Sequence, residues 1–167
     1  PASPPPAEPA PAPTPAPVAC RVRTASWMNE MKRNMTLAAA VAVMTLATVG
    51  IDGPWAAAVF YAHVGASLYF LSAPSTRHSR NLAHDARCAA TIQDDVAEWE
   101  QIRGVQLEGR VYRLEGDAAR LAHELYGRKF PLVANLTRVP AAIALALAKI
   151  AWYRLDAERL HLIDNSR

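Results

Sequence analysis

The sequence predicts a mainly β domain of the α+β class, in the form of a small barrel with inserted helices. Short runs of branched and aromatic residues follow one another in hairpin-like order, separated by Gly, Pro and Asp turn signals. Helical patterns occur between some of these runs only, which argues against a parallel βαβ sheet. The chain also lacks the glycine-rich loops of nucleotide-binding βαβ folds and any internal repeat.

Composition divides the chain into a tail and one domain. Nine of the thirteen prolines lie in Pro1–Pro17, so residues 1–24 are predicted to be extended and disordered. Residues 25–167 suffice for one domain with its own core. Cys20 and Cys88 form no disulfide framework, and Cys88 is expected to be a small buried residue in a reducing compartment. The five histidines lack metal-ligand spacing. The net charge is +3, and the chain has no run of basic residues interleaved with aromatics that would indicate nucleic-acid binding.

The first part of the domain reads as a helix followed by three strands. The pattern predicts a helix over residues 25–40 and strands over Val41–Val49, Trp55–Ala62 and Ser67–Ser72, with turns at Asp52–Pro54 and Gly65. Met35–Ile51 is nearly uncharged and about as long as the shortest membrane-spanning helix. Because it is dominated by Ala and Thr and ends in a turn signal, a helix followed by a buried strand is preferred over a membrane span. No signal peptide precedes it, so we expect a cytoplasmic protein.

A basic helix follows the third strand and extends to about His84. Ser75 or Thr76 can cap it, because a side-chain oxygen there accepts a free backbone N–H. Arg77 and His78 lie in its first turn, where the helix dipole already favours anions and disfavours cations. Two interpretations follow from these residues: an anion-binding site or a solvated basic surface.

The second part continues with strands, one bend and two helices. Strands are predicted over Arg87–Gln93 and Arg103–Leu114. Helices are predicted over Ala118–Tyr126 and from Pro140 to about Lys149. Two short final strands are predicted over Ala151–Leu155 and Arg159–Ile163. The apolar positions of Arg103–Leu114 change parity, so we place a β-bulge or bend at Gly109. Gly127 is expected to end the first of these helices, and an irregular segment is expected from Phe130.

Four segments carry a family resemblance: MTLATVGIDGPW, VFYAHVGASLYFLS, STRHSRNLAHDARCAATI and IRGVQLEGRVYRL. Together they resemble the pyridoxamine 5′-phosphate oxidase-like, FMN-binding split-barrel superfamily over about Met35–Ile163. The run IRGVQLEGRVYRLEGD, followed by YGRKFP, looks closest to an uncharacterised bacterial branch of that group. The resemblance implies a six-stranded split β-barrel of Greek-key type with inserted and flanking helices.

The resemblance also implies a cofactor site. Family members hold the flavin phosphate with a Ser/Thr-Arg-Lys run at the helix start, which reads Thr76, Arg77 and His78 here. The remaining implied contacts come from two strands and one glutamine: Ala57, Ala58, Val59 and Phe60, then Leu71 and Ser72, and Gln106 (Gly104 by strict spacing). A flavin phosphate carries roughly −1.5 to −2 charge, so Arg77 and a protonated His78 would supply most of its affinity.

This chain departs from the oxidase itself at several positions. Ala56 and Tyr61 stand where the oxidase has basic residues, and its C-terminal Arg-Leu-His substrate motif is not reproduced. Efficient oxidation of pyridoxamine 5′-phosphate is therefore not expected. The resemblance implies an FMN-dependent oxidoreductase with a small-molecule substrate, working as a homodimer with its cofactor between the subunits. Two alternatives remain open: a split barrel that uses F420 or haem, and a flavin-binding module without turnover.

Overall fold

The computed structural model describes residues 41–134, 140–141, 145 and 147–166. The predicted tail over residues 1–24, the predicted helix over residues 25–40 and Cys20 lie outside the described residues. Part of the helix predicted from Pro140 also lies outside them, and within the described part Ala141, Leu145 and Leu147 are helical.

Within the described part of the chain, six antiparallel strands close into a barrel in the order β1-β2-β3-β6-β5-β4. The strands are β1 (Val43–Gly50), β2 (Gly53–Val64), β3 (Ser67–Ser72), β4 (Arg87–Gln93), β5 (Arg103–Leu114) and β6 (Ala151–Asp164). Helix α1 (Arg77–His84) joins β3 to β4, and α2 (Gly116–Lys129) and the short α3 (Pro131–Ala134) follow β5. The predicted mainly β barrel with inserted helices is confirmed.

The core forms because alternate residues of each strand point into the barrel. The largest fully buried side chains are Tyr61, Phe70, Met44, Leu46, Ile92 and Leu155. Cys88 is buried as predicted, and burial raises the pKa of its thiol to about 12, so it stays protonated and unreactive at neutral pH. A second, smaller cluster forms where α2 covers Tyr69 and Leu114 on the outer face.

The bulge at Gly109 is confirmed, but its extra residue belongs to β6. Glu108 pairs with Arg159 and Gly109 pairs with Ala157, so Glu158 has no partner on β5. The two short final strands were therefore a wrong prediction, because one strand continues through this bulge along the whole of β5. The inner face keeps its parity beyond Gly109, and Leu114 is buried only because α2 covers the outer face there.

Two further predictions around α2 need correction. Gly127 does not end this helix, which continues to Lys129 and stops because Pro131 disfavours helical geometry at Phe130. The segment after Phe130 was expected to be irregular, but it contains the short helix α3.

The fold agrees with the buried strand that was preferred over a membrane span for the apolar stretch Met35–Ile51. Val43–Gly50, which belongs to the apolar stretch Met35–Ile51, forms barrel strand β1. Among the described residues, no helix combines the length and hydrophobicity that a membrane span requires.

Candidate cofactor site

The start of α1 is fixed by a side-chain cap and by a contact with β1. Thr76 has extended backbone geometry, and its hydroxyl accepts a hydrogen bond from the Ser79 backbone N–H at 3.3 Å. The Asn81 side-chain amide donates to the Thr48 hydroxyl at 3.1 Å, and the amide lies where a side chain at Gly50 would be. The predicted cap at Thr76 is therefore confirmed, and α1 is held against the end of β1.

Arg77 lies against the turn between β1 and β2. Its guanidinium carbon is 4.6 Å from the centre of the Trp55 ring, and its Nη2 donates to the Asp52 carbonyl at 2.8 Å. Its Nε is buried and has no hydrogen-bond partner among the described residues. A buried donor without an acceptor costs about 1–3 kcal/mol, so this side chain retains capacity for an additional acceptor.

His78 does not face solvent at the helix start as the sequence suggested. Its ring is buried, with Nε2 2.7 Å from the Ser72 hydroxyl and 3.2 Å from the Thr76 hydroxyl. Burial lowers the pKa of His78 below its ordinary value of 6.5, so the ring is neutral near pH 7. The expectation that a protonated His78 provides a second cationic contact is therefore not met in the free protein. The imidazole instead links the end of β3 to the first turn of α1.

The strand residues predicted to contact a flavin divide between two faces of the barrel. Ala58 and Phe60 are exposed on the outer face of β2, whereas Ala57 is half-buried and Val59 points into the core. This division follows from the alternation of side chains along a strand. Leu71 is half-buried at the end of β3, and the ladder between β2 and β3 ends at the Tyr61–Phe70 pair.

Phe60 precedes that last pair and Leu71 follows it, so both lie where β2 and β3 separate. Ser72 comes next and contacts His78 and Thr76. The structure thus brings Ser72, Thr76 and His78 together, with Leu71 next to Ser72 on β3. Phe60 lies on the outer face of β2, and Arg77 lies towards the start of β2.

Gln106 is not part of this region. Ala58 pairs with Thr45, Thr45 with Thr91, and Thr91 with Gln106, so three strand spacings separate Gln106 from β2. That is roughly 14 Å on the same outer face. Gly104, the alternative by strict spacing, is buried against Gln93 and offers no side chain.

Lys129 is a residue that the sequence reasoning missed. Its Nζ lies 4.3 Å from the centre of the Tyr61 ring and donates to the Val41 carbonyl at 2.7 Å. The neighbouring Phe130 ring contacts Phe60, with 5.5 Å between ring centres. A cation from the end of α2 therefore reaches Tyr61, where the sequence had indicated a missing positive charge. Burial lowers the pKa of this amine. A Lys in the last turn before Phe130-Pro131 was the available signal, but nothing local indicated which strand it would contact.

The lowered pKa of His78 leads to a prediction about stability. Because the unfolded chain binds a proton on this ring more readily, the stabilisation is complete above about pH 6.5 and declines as the pH falls towards the lowered pKa. We expect His78→Gln to reduce the loss of unfolding free energy that the parent shows between about pH 7.5 and 5.5. Urea unfolding at both pH values measures this difference.

His84→Gln is the control, because His84 lies in the same helix and is exposed. The prediction is wrong if both glutamine variants lose stability on acidification to the same extent as the parent.

Comparison with known proteins assigns this chain to a family. The model of the pyridoxamine 5′-phosphate oxidase family matches residues 34–163. A UPF0306 protein from Photorhabdus laumondii is 29% identical over 126 residues, covering 74% of this chain and 80% of that protein.

Solved structures agree with the fold. A heme binding protein from Mycobacterium smegmatis has a TM-score of 0.64 and 27% identity, covering 80% of this chain and 53% of that chain. A FAD-binding protein from Mesorhizobium loti has a TM-score of 0.64 and 18% identity, covering 85% of this chain and 96% of that chain. This chain thus spans about half the length of the mycobacterial protein. By the match over residues 34–163 and the six-stranded barrel, the chain belongs to the pyridoxamine 5′-phosphate oxidase family.

Proposed function

We propose that this protein is an FMN-binding split barrel that performs oxidoreductase chemistry on a small-molecule substrate. Arg77 is the observation on which the proposal depends. It lies in the first turn of a capped helix, stacked on Trp55, with one buried donor that has no acceptor within the described part of the chain. An anion at a helix N-terminus is favoured by the dipole and the free N–H groups, and a guanidinium adds charge-assisted hydrogen bonds.

The described residues fit FMN in their chemistry. Arg77 and the first turn of α1 would hold the phosphate, and the Thr76 hydroxyl caps that turn while Ser72 lies behind it. The exposed small side chain of Ala58 leaves room on β2 for a flat ring, with Phe60 as an aromatic neighbour. FMN supplies electron or hydride transfer when it is bound, and the protein's part is to bind, orient and shield it.

The partly buried Lys129 would act on the electronics of such a ring. Its amine lies beside the ring of Tyr61, and Tyr61 belongs to the same strand as Ala58 and Phe60. A cation in a partly desolvated environment exerts a stronger field than one in water, and it favours negative charge on a neighbouring group. Lys129 is therefore proposed as a tuning residue.

Haem is the second candidate cofactor, and the mycobacterial heme binding protein favours it. The absorbance spectrum of the purified protein, and of protein reconstituted with FMN, F420 or haem, distinguishes these possibilities. A stoichiometric flavin spectrum around 450 nm is expected. A Soret band together with failure to retain FMN contradicts the proposal. Retention of FMN without reduction by any electron donor tested indicates a binding module without turnover.

A homodimer is proposed from the outer surface of the barrel. On β5 and β6 this surface is charged, with ion pairs between Arg159 and Glu108 and between Arg110 and Glu158. On the neighbouring strands a stretch of exposed positions is uncharged: Ala56, Ala58 and Phe60 of β2, Thr45, Ala47 and Val49 of β1, and Ala89 of β4. The exposed, charged Arg87 lies at the start of β4, at the edge of this stretch. The outward-facing positions of a sheet in contact with water are normally polar. The uncharged face is therefore proposed to be covered by a second copy of the chain.

We expect Ala47→Glu to convert the dimer to a monomer and to weaken flavin retention. Ala47 lies at the centre of the uncharged face, paired with Ala56 and Ala89. Two copies of the new carboxylate would be buried in the interface, which costs several kcal/mol. Light scattering gives the mass, and Leu121→Glu on the exposed side of α2 is the matched control. A parent protein that is monomeric while it holds flavin contradicts the dimer.

A further inference from the structure

A cavity lined by none of the side chains assigned to FMN lies at the end of the barrel that α1 covers. Its volume is about 100 Å³, and its lining includes Ser79, Leu82, Val111, Arg113 and Tyr153. It exists because α1 packs mainly on β1 and β2, which leaves the β5–β6 side of this barrel end incompletely filled. We call it the α1–β5 cavity.

Arg113 is the unusual residue of this cavity. Along β5 the inner-face positions are Val105, Leu107, Gly109 and Val111, and the next position of the same parity is Arg113. Arg113 pairs across the sheet with Tyr153, whose buried ring stacks on Phe70 with 5.2 Å between ring centres. A charged side chain therefore occupies a position at which the alternation of inward and outward side chains along β5 predicts an apolar core residue.

Among the residues that the structure describes, the guanidinium of Arg113 has one loose ion pair. Its Nε is 3.8 Å from the Glu115 carboxylate, and both side chains are largely exposed. An exposed pair of this kind contributes about 0–1 kcal/mol, so a ligand that makes two charge-assisted hydrogen bonds competes with it readily.

We propose that the α1–β5 cavity binds a small carboxylate with a short aliphatic tail. The carboxylate pairs with the Arg113 fork at the rim, and the tail lies against Leu82, Val111 and the Tyr153 ring. Ser79 and Tyr153 add hydroxyl-bearing side chains to the lining. The volume accommodates a molecule of a few heavy atoms.

The composition of the lining selects this ligand class. Among the described residues that line the cavity, one side chain is cationic and none is a carboxylate, which disfavours amines. The apolar surface beside Arg113 is unsuited to inorganic phosphate, which needs donors on every side. The proposal does not depend on flavin binding, because neither Arg113 nor Val111 is among the residues assigned to FMN.

Titration of the full chain with sodium butyrate, followed by backbone amide NMR shifts, tests the proposal. Saturable shifts at Ser79, Val111 and Tyr153 are expected at millimolar butyrate. Butylammonium chloride, 1-butanol and sodium chloride at equal concentration should give none. Arg113→Met, which keeps the aliphatic stem, should weaken butyrate binding by about 10- to 100-fold.

Arg110→Met is the matched control, because Arg110 is on the same strand but pairs with Glu158 on the outer face. A second variant, Ala83→Leu, fills the cavity from an exposed position of α1 while Arg113 remains, and it should also abolish binding. Shifts that are absent, that persist equally in Arg113→Met, or that sodium chloride reproduces would overturn the proposal.

Discussion

Replacing Arg77 with alanine is expected to weaken FMN binding by about 10- to 100-fold, which corresponds to the loss of hydrogen bonds from a charged donor to the phosphate. The guanidinium is already stacked on Trp55 and anchored to the Asp52 carbonyl, so little conformational entropy is lost when it binds an anion. Flavin titration, with quenching of FMN fluorescence as the readout, measures the dissociation constants.

Two further variants make the Arg77 experiment specific. Arg77→Lys keeps the charge but loses the planar fork, so an intermediate loss is expected. Arg80→Ala should have little effect, because Arg80 is exposed and donates to the Ser75 carbonyl. Equal small effects of Arg77→Ala and Arg80→Ala would show that the basic residues of α1 only face solvent, which would contradict the proposed phosphate site.

The protein without cofactor provides a check on the origin of the effect. Among the described residues, truncation of the partly buried Arg77 removes one stacking contact and one hydrogen bond, so the unfolding free energy should change by about 1 kcal/mol or less. A much larger loss of stability would mean that Arg77→Ala acts through the fold rather than through phosphate recognition.

Replacing Gly109 with alanine is expected to destabilise the barrel by about 2–3 kcal/mol or more. A Cβ at this position would overlap the Asp156 carbonyl oxygen and lie 3.0 Å from the Ala157 Cα. Both are backbone atoms of β6 at the bulge, so the contact is relieved only if the two strands separate. Chemical denaturation of the parent and the variant gives the difference in unfolding free energy.

Gly104→Ala is the matched control on the same strand. A Cβ there would approach the Ile92 carbonyl oxygen at 3.1 Å and the Gln93 side chain at 3.4 Å, which small local shifts relieve. A loss of less than about 1 kcal/mol is therefore expected. If both glycine variants are destabilised equally, the close approach at the bulge is not what makes Gly109 necessary.

The two sets of experiments also separate folding from function. Gly109 lies at the β5–β6 bulge and is not among the residues assigned to FMN, so a destabilised Gly109→Ala protein that still folds should bind FMN with an affinity close to that of the parent. Arg77→Ala should keep most of the stability of the parent but bind FMN more weakly. The contrast distinguishes a residue that maintains the barrel from one that recognises the cofactor.

Much of the local structure could be predicted from the sequence. The bounds predicted for β3, β4 and β5 agree with the structure, because turn residues and runs of branched residues mark both ends of these strands. The Thr76 cap was predictable for the same reason, since a cap depends on residues within one helical turn. The position of the bulge was indicated by Gly109 itself.

Other features depended on partners distant in the sequence. The polar run Asp156–Glu158 resembles a turn, but pairing along β5 makes it a bulge within β6. His78 looked like a solvated cation, but the end of β3 returns to the first turn of α1 and buries its ring against Ser72. Neither outcome is visible in a local pattern.

The β-rich class, the bounds of β3, β4 and β5, the capped basic helix and the family resemblance could all be read from the sequence, because they depend on patterns within a few residues. Contacts between distant side chains follow from the packing of the whole barrel: Lys129 reaches Tyr61 from the end of α2, and Gln106 lies three strands away from Ala58. The cavity beside Arg113 likewise results from how an eight-residue helix covers a six-stranded barrel. Such contacts depend on barrel closure and helix packing, where residues far apart in the chain compete for the same space.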